Sequence, residues 1–186
     1  MNPKASSYNN SIRLILLALI AVLSCYYLWV LYKAATPNVS IAYKTYYIKQ
    51  QNLYWDIDNP DLSLSIPKTL KVEQNLPFLS RQGWSKDVID HARQLESQGG
   101  LYFTVKQAIE QPIELTIDIT TPVTQSIDIT VNQWHGTLHP SISQPNHLTT
   151  IIPATAFLAP KAIQQLTVLN SQPLSVQQIT LESEHE

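Results

Sequence analysis

Beyond position 100 apolar and polar residues take turns. In Ile113, Leu115, Ile117 and Ile119 every second side chain is apolar, and the partners between them, Glu114, Thr116, Asp118 and Thr120, are all polar. A period of two puts the apolar set on one face of an extended chain, so the spacing predicts a half-buried strand. Ile127, Ile129 and Val131 repeat the pattern after a connection at Pro122 to Ser126, and the pair reads as a hairpin of antiparallel neighbours. Leu101 to Val105, His147 to Ile152, Leu166 to Leu169 and Val176 to Leu181 are further strand candidates, punctuated by Pro140, Pro145, Pro153, Pro160 and Pro173.

The earlier part is less regular. Ile41 to Ile48 and Leu53 to Ile57 are dense in β-branched and aromatic residues and are expected to be strands. A turn at Asn59-Pro60-Asp61 leads to a short strand through Leu62, Leu64 and Ile66, closed by Pro67. One stretch has helical spacing: Ser85 is a cap, Asp87 lies in the first turn, Val88, Ile89, Ala92 and Leu95 share a face, and Gly99-Gly100 stops it. About three turns are expected there. Regularly spaced short strands with one apolar face predict a mainly β fold, a β-sandwich or jelly roll with one short helix.

From Leu14 to Tyr32 nineteen residues carry no formal charge, between Arg13 and Lys33. As a helix this run is roughly 28 Å long, the thickness of a hydrocarbon core. Tyr26, Tyr27, Trp29 and Tyr32 crowd its distal third, where amphipathic rings favour the boundary of lipid and water. The expected order is a cytoplasmic tail at 1–13, a transmembrane helix at 14–32, a linker at 33–40, an extracytoplasmic β-sandwich at 41–182 and a frayed tail at 183–186. Positive charges on the two sides nearly balance, and a short polar tail before an apolar run favours a signal anchor with its N-terminus in the cytoplasm. A cleavable signal peptide is disfavoured, because cuts after Ala35 or Ala34 would place Lys33 or Tyr32 where a small residue is needed. A lipoprotein is the alternative: Val22-Leu23-Ser24-Cys25 partly resembles a bacterial lipobox, with a mature chain starting at Cys25. Both readings attach the chain to a membrane, the bacterial inner membrane.

Composition removes several classes. Twelve Lys and Arg stand against fourteen Asp and Glu with no basic cluster, which excludes nucleic acid as an expected partner. Cys25 is the only cysteine, so no intrachain disulfide forms. No glycine-rich phosphate loop, GxSxG, HExxH or CxxC occurs, so no cofactor or catalytic residue is assigned.

The stretch from Gly83 to Leu181 resembles the β-sandwich domain that accompanies the catalytic or membrane part of bacterial envelope phosphoglycerol transferases and membrane glycosyltransferases. The resemblance rests on Gly83-Trp84-Ser85, Tyr102 and Phe103, the strands at Ile113 and Ile127, Asn132, Ile152-Pro153 and the closing Ile179 to Leu181. The family's second Trp after the Gly-Trp turn has no counterpart between Val88 and Leu95. The layout is also similar to the bitopic periplasmic component of lipopolysaccharide transport.

Trp134 and His135, beside Asn132 and Gln133, are the best candidates for a platform against a sugar ring, with Trp84 posing the same question. The competing reading has Trp134 closing one end of the core. Tyr54 and Trp55 also read as core. Asp56, Asp58 and Asp61 cluster as a calcium loop would, but position six of such a loop is Asp61 rather than Gly and position twelve is Pro67. His135 and His139 have a ligand spacing only on a helix, and Gly136 and Pro140 predict a loop, so no metal is expected.

The sequence therefore predicts a non-catalytic, membrane-anchored accessory of the bacterial envelope. It would work with surface glycans through an integral-membrane protein partner or weak carbohydrate binding. Two alternatives stay open. One is lipid or glycolipid transport along a jelly-roll groove, and the other is a small hydrolase joining Asp56 or Asp58 to His135.

Overall fold

A computed structural model describes residues 3–183, with side chains from residue 12 onward. Two compact units divide between Val39 and Ser40. The first contains one long helix, α1 (Pro3–Ala35), in which Ile12–Ala35 is long and apolar enough to cross a membrane. An N-terminal signal sequence passes the same test. Every side chain from Ile12 to Ala35 is exposed.

The second unit begins with a short helix, α2 (Ile41–Tyr43), continued by a π-helical turn at Lys44–Ile48. Eleven strands follow: β1 (Ser63–Leu64), β2 (Lys68–Lys71), β3 (Trp84–Ile89), β4 (Ala92–Leu95), β5 (Gln98–Val105), β6 (Ile113–Ile119), β7 (Ile127–Val131), β8 (Trp134–Pro140), β9 (His147–Ile152), β10 (Gln164–Leu169) and β11 (Leu174–Ser183). A 3-10 turn at Ala154–Ala156 interrupts the path to β10.

The strands form one curled sheet in the order β1-β5-β10-β7-β8-β9-β6-β11-β4-β3, with β2 paired to β11. Two layers of four result, β5-β10-β7-β8 over β4-β11-β6-β9, and all neighbours within each layer are antiparallel. Numbered from β4 to β11, that order is the double Greek key of a jelly roll. The bend lies in β8, which pairs with β7 through Trp134–Leu138 and with β9 at His139 and Pro140.

Between the layers Leu101, Phe103, Leu115, Ile117, Ile129, Leu138 and Leu148 interlock, each no more than 1% exposed. The outer edge of β5 is not left open, since Thr104 donates its N–H to Leu62 O, Tyr102 to Phe78 O, and Ser80 to Gly100 O. Covering an edge in this way removes a template for chain-to-chain pairing.

Several expected elements differ. Ile41 to Ile48 is helical rather than extended: Ser40 Oγ accepts from Tyr43 N at 3.2 Å, and Thr45 Oγ1 donates to Ile41 O at 2.6 Å. The small residues Ala42 and Thr45, three apart, are the ones buried, so helical periodicity resides in small side chains among conspicuous Tyr residues. Leu53 to Ile57 is irregular and follows an isolated bridge of Asn52 to Ser80.

The expected helix after Trp84 is the hairpin β3–β4. Asp90 and His91 form its two-residue turn with φ of 51° and 61°, the left-handed pair that favours antiparallel strands. Pairing of β4 to β11 overrides a local helical pattern. Gly99 and Gly100 accordingly lie inside β5 instead of stopping a helix.

Strands β6 and β7 are not a hairpin. β6 pairs with β9 and β11, whereas β7 pairs with β8 and β10, so Pro122–Ser126 carries the chain from one layer to the other. Alternation defines which face is apolar, and says nothing about the neighbour. Likewise 134–140, expected as a loop, is strand β8. At the C-terminus, Glu182 and Ser183 pair with Glu114 and Ile113 in the last strand, and the remainder of the expected frayed tail, 184–186, lies outside the described residues.

Candidate functional site

Successive residues of a strand face opposite sides, and β8 obeys this rule. Trp134 lies opposite the buried Val131 and shares its face with Gly136 and the buried Leu138, so its half-buried ring turns toward the core at one end of the sandwich. The ring lies flat over Gly136: a Cβ there would come within 2.0 Å of Trp134 Cη2. His135 lies on the outer face opposite Thr130 and is exposed. The two adjacent residues therefore do not form one platform.

Asn132 occupies the two-residue turn between β7 and β8 with φ of 55°. Its Nδ2 donates to Ala156 O at 2.8 Å and to Gln164 Oε1 at 2.9 Å, and its Oδ1 accepts from Gln165 N at 2.9 Å. That amide is committed to the fold. Trp84 is 6% exposed and donates its indole N–H to Gly100 O at 2.9 Å, so it too is a core residue. Of the four residues singled out in the sequence, Trp84 is buried and Asn132 spends its amide on the fold, which leaves Trp134 and His135, on opposite faces.

The register places other polar groups beside His135. Across the outer face of β5-β10-β7-β8, Gly100, Thr167, Thr130 and His135 stand in one row. Flanking rows contribute Tyr102 with Gln165, and Asp128 with Thr137. A shallow hollow of about 90 Å³ opens among Gly99, Gly100, Tyr102, Gln165 and Thr167, where two adjacent positions lack side chains. Gln165, itself exposed, donates from Nε2 to Thr167 Oγ1 at 3.4 Å. Burial raises the Tyr102 hydroxyl above its ordinary pKa, so it stays a neutral donor at physiological pH.

This surface was legible only in part. Thr130, Asp128 and Thr137 belong to visible alternations, but the contribution of β10 required the strand order.

The larger hollow, about 720 Å³, sits at one end of the sandwich between the ends of β1, β5, β6 and β11, among residues such as Ile66, Lys106, Ile109 and Glu110. Leu64, Val105 and Ile113 of its lining also belong to the core cluster that packs between the layers.

The acidic turn and the histidines remain apart. Asp56 Oδ1 accepts from Asp58 N at 2.9 Å, a local turn, and Asp56 lines a hollow with Ser63 and Leu64 of β1. β8 lies four strand spacings from β1, about 19 Å along the sheet. Among the described residues no hydrogen bond or ion pair joins Asp56 or Asp58 to His135. His135 and His139, four apart on a strand, are about 13 Å from each other and cannot share one ion. His139 Nδ1 instead meets Ser126 Oγ at 3.1 Å. Among the described residues no group of three His, Cys, Asp or Glu is placed to hold a metal.

Two charged features escaped the sequence reading. Arg93 is 1% exposed, and its guanidinium donates to the carbonyls of Val72, Ser85, Lys86 and Glu73, at 2.7 Å for Lys86, and stacks 5.3 Å from the Tyr54 ring. Asp118 approaches His147 Nδ1 to 2.8 Å and accepts from Gln178 Nε2 at 3.2 Å, which ties β9, β6 and β11 across their outer face.

No family model and no curated protein matches the chain. Solved structures give partial likenesses. The module CsCBM6-3 of Clostridium stercorarium, in complex with cellobiose, shows 10% identity and a TM-score of 0.39 over 63% of this chain and 94% of that one. The GH26-CBM35 β-(1,4)-mannanase of Podospora anserina shows 16% identity and a TM-score of 0.38 over 64% of this chain and 28% of that one. A family GH115 4-O-methyl-α-glucuronidase, BtGH115A, with specificity for decorated arabinogalactans, shows 14% and 0.33 over 50% and 14%. Scores this low carry no functional inference.

Proposed function

We propose that this chain is a membrane-anchored, non-catalytic accessory protein of the bacterial cell envelope. Its jelly roll stands on the periplasmic or extracellular side of the inner membrane and supports surface-glycan synthesis or modification, by contact with an integral-membrane partner or by weak carbohydrate binding. The observation that carries this reading is the helix Ile12–Ala35, uncharged from Leu14 to Tyr32 and exposed at every side chain. Such a surface is costly in water and at home in a bilayer.

The binding half rests on the outer face of β5-β10-β7-β8. Tyr102, Gln165 and Thr167 line a shallow hollow, and Thr130 and His135 continue the row of Thr167 across the face; together they present hydroxyl, amide and imidazole groups, a chemistry that matches the hydroxyl groups of a sugar chain. The filled interlayer gives no comparable support to lipid passage along a groove.

The full chain extracted in mild detergent tests the proposal. Expected is retention in carbonate-washed membranes and recovery with an envelope glycan or a glycan-handling membrane enzyme. Thr130→Arg, which fills the outer row, would reduce glycan recovery. A chain washed free of membranes, or one recovered with neither glycan nor such an enzyme, would overturn it.

A further inference from the structure

At the start of the jelly roll an aromatic cluster faces solvent. Tyr43 and Tyr47, four apart on one helical face, lie 4.9 Å apart between ring centroids, and Trp55 stands 5.3 Å from Tyr47 and 6.4 Å from Tyr46. Tyr47 is 50% exposed, Trp55 40% and Ile57 73%, with Ile48 also open. Trp55 is thus not the core residue its sequence context implied.

The cluster is braced from behind. The Arg81 guanidinium covers Tyr46 at 4.8 Å while donating to Tyr46 O at 3.2 Å and Asn52 O at 3.3 Å. A solvent-facing group of rings held rigid in this way is built for contact.

We infer that Tyr43, Tyr47, Ile48, Trp55 and Ile57 dock into the headgroup layer of the bilayer that α1 crosses. The inference rests on the anchored reading above. Covalent geometry supplies the argument for this occupant: six residue steps separate Ala35 from Ile41, a reach of at most about 22 Å. The cluster thus starts within a linker's length of the membrane boundary, where the aromatic run Tyr26, Tyr27, Trp29 and Tyr32 already belongs. Tyr and Trp are the side chains that this boundary selects, the ring in the apolar margin and the polar atom toward water. Lys44 and Lys49, both exposed, extend outward on the same segment and reach phosphate groups as Lys33 does.

The test uses the full chain with Cys25→Ser, reconstituted in nanodiscs of phosphatidylcholine and phosphatidylglycerol. Single spin labels are placed through Tyr47→Cys, Ile57→Cys, Ile142→Cys and Leu19→Cys, all at exposed positions. Ile142, in the turn after β8, is the aqueous reference, and Leu19 reports the anchor. Expected is an accessibility to a water-soluble nickel complex at Tyr47 and Ile57 reduced about threefold relative to Ile142, with oxygen accessibility raised. Labels at Tyr47 and Ile57 as water-accessible as Ile142, while Leu19 is deep in lipid, would overturn this inference and leave the anchor standing. A water-accessible Leu19 would overturn the anchor and this inference together.

Discussion

The amide of Asn132 and the amide of Gln164 are joined, Nδ2 to Oε1 at 2.9 Å, and this contact ties the turn between β7 and β8 to the start of β10. Gln164 is wholly buried; its Oε1 also accepts from Leu158 N at 2.8 Å and its Nε2 donates to Leu158 O and Ala162 O at 3.2 Å. Each polar atom of the pair has a partner, which is the condition for burying amides without loss.

Replacing Asn132 therefore strands several groups. Asn132→Gly keeps the left-handed turn and removes the side chain, so the expected loss isolates the amide: about 1 to 3 kcal/mol. Urea unfolding of the full chain, followed by far-ultraviolet circular dichroism, measures it. A stability within error of wild type would contradict the bracing role.

Arg93 reaches four backbone carbonyls from a position closed to water, and it connects β4 to the segment around Val72 and to β3. Arg93→Ala is expected to cost more than about 3 kcal/mol, by leaving those acceptors unpaired and a cavity in place of the side chain. Arg93→Lys, which keeps charge but not the planar fork, should recover only part. The comparison of the two melting temperatures tests the geometry separately from the charge.

Gly136 is the floor under the Trp134 ring. Gly136→Val would lift the indole off the strand into water, and the expected readout is a red shift of the Trp134 emission with secondary structure intact. The signal is isolated as the difference from the same variant carrying Trp134→Phe. An unchanged spectrum would mean that the ring is not held by this contact.

Tyr102 provides a test in alkali. Burial raises its pKa in the folded state above the ordinary 10.0, while the unfolded chain keeps the ordinary value. Below pH 10 both states hold the proton and stability is undiminished; above it the unfolded state ionises first, so stability falls as pH rises through the folded pKa. Tyr102→Phe should flatten that decline, seen as a smaller drop in melting temperature between about pH 9 and 11.

Much of the jelly roll was readable along the chain. β6 and β7 follow their alternation closely, because a strand with one dry and one wet face must repeat with period two. β8 was hidden by Gly136 and Pro140, yet Trp134, Gly136 and Leu138 share a face, and a small residue two places from an indole is the signal that a ring lies down on a strand. The hairpin β3–β4 was hidden for a different reason. Val88, Ile89, Ala92 and Leu95 fit a helix as well as a strand, and only the edge offered by β11 decides between them.

The candidate site divides along the same line. His135 was singled out, but its real company, Thr130 and Thr167, comes from strands placed beside it by topology. Trp134 was paired with it by adjacency, whereas adjacent residues of a strand point apart.

What the order of residues determines by itself is local: an apolar run long enough to cross a bilayer, and the dry face of each alternating strand, since both follow from the transfer of side chains out of water. Which strands become neighbours, which layer each joins, that Arg93 is buried and that Tyr47 and Trp55 are displayed were decided only in three dimensions. Those outcomes depend on pairing every backbone donor and acceptor across distant segments while two apolar faces close on one another, a condition that no single stretch of the chain contains.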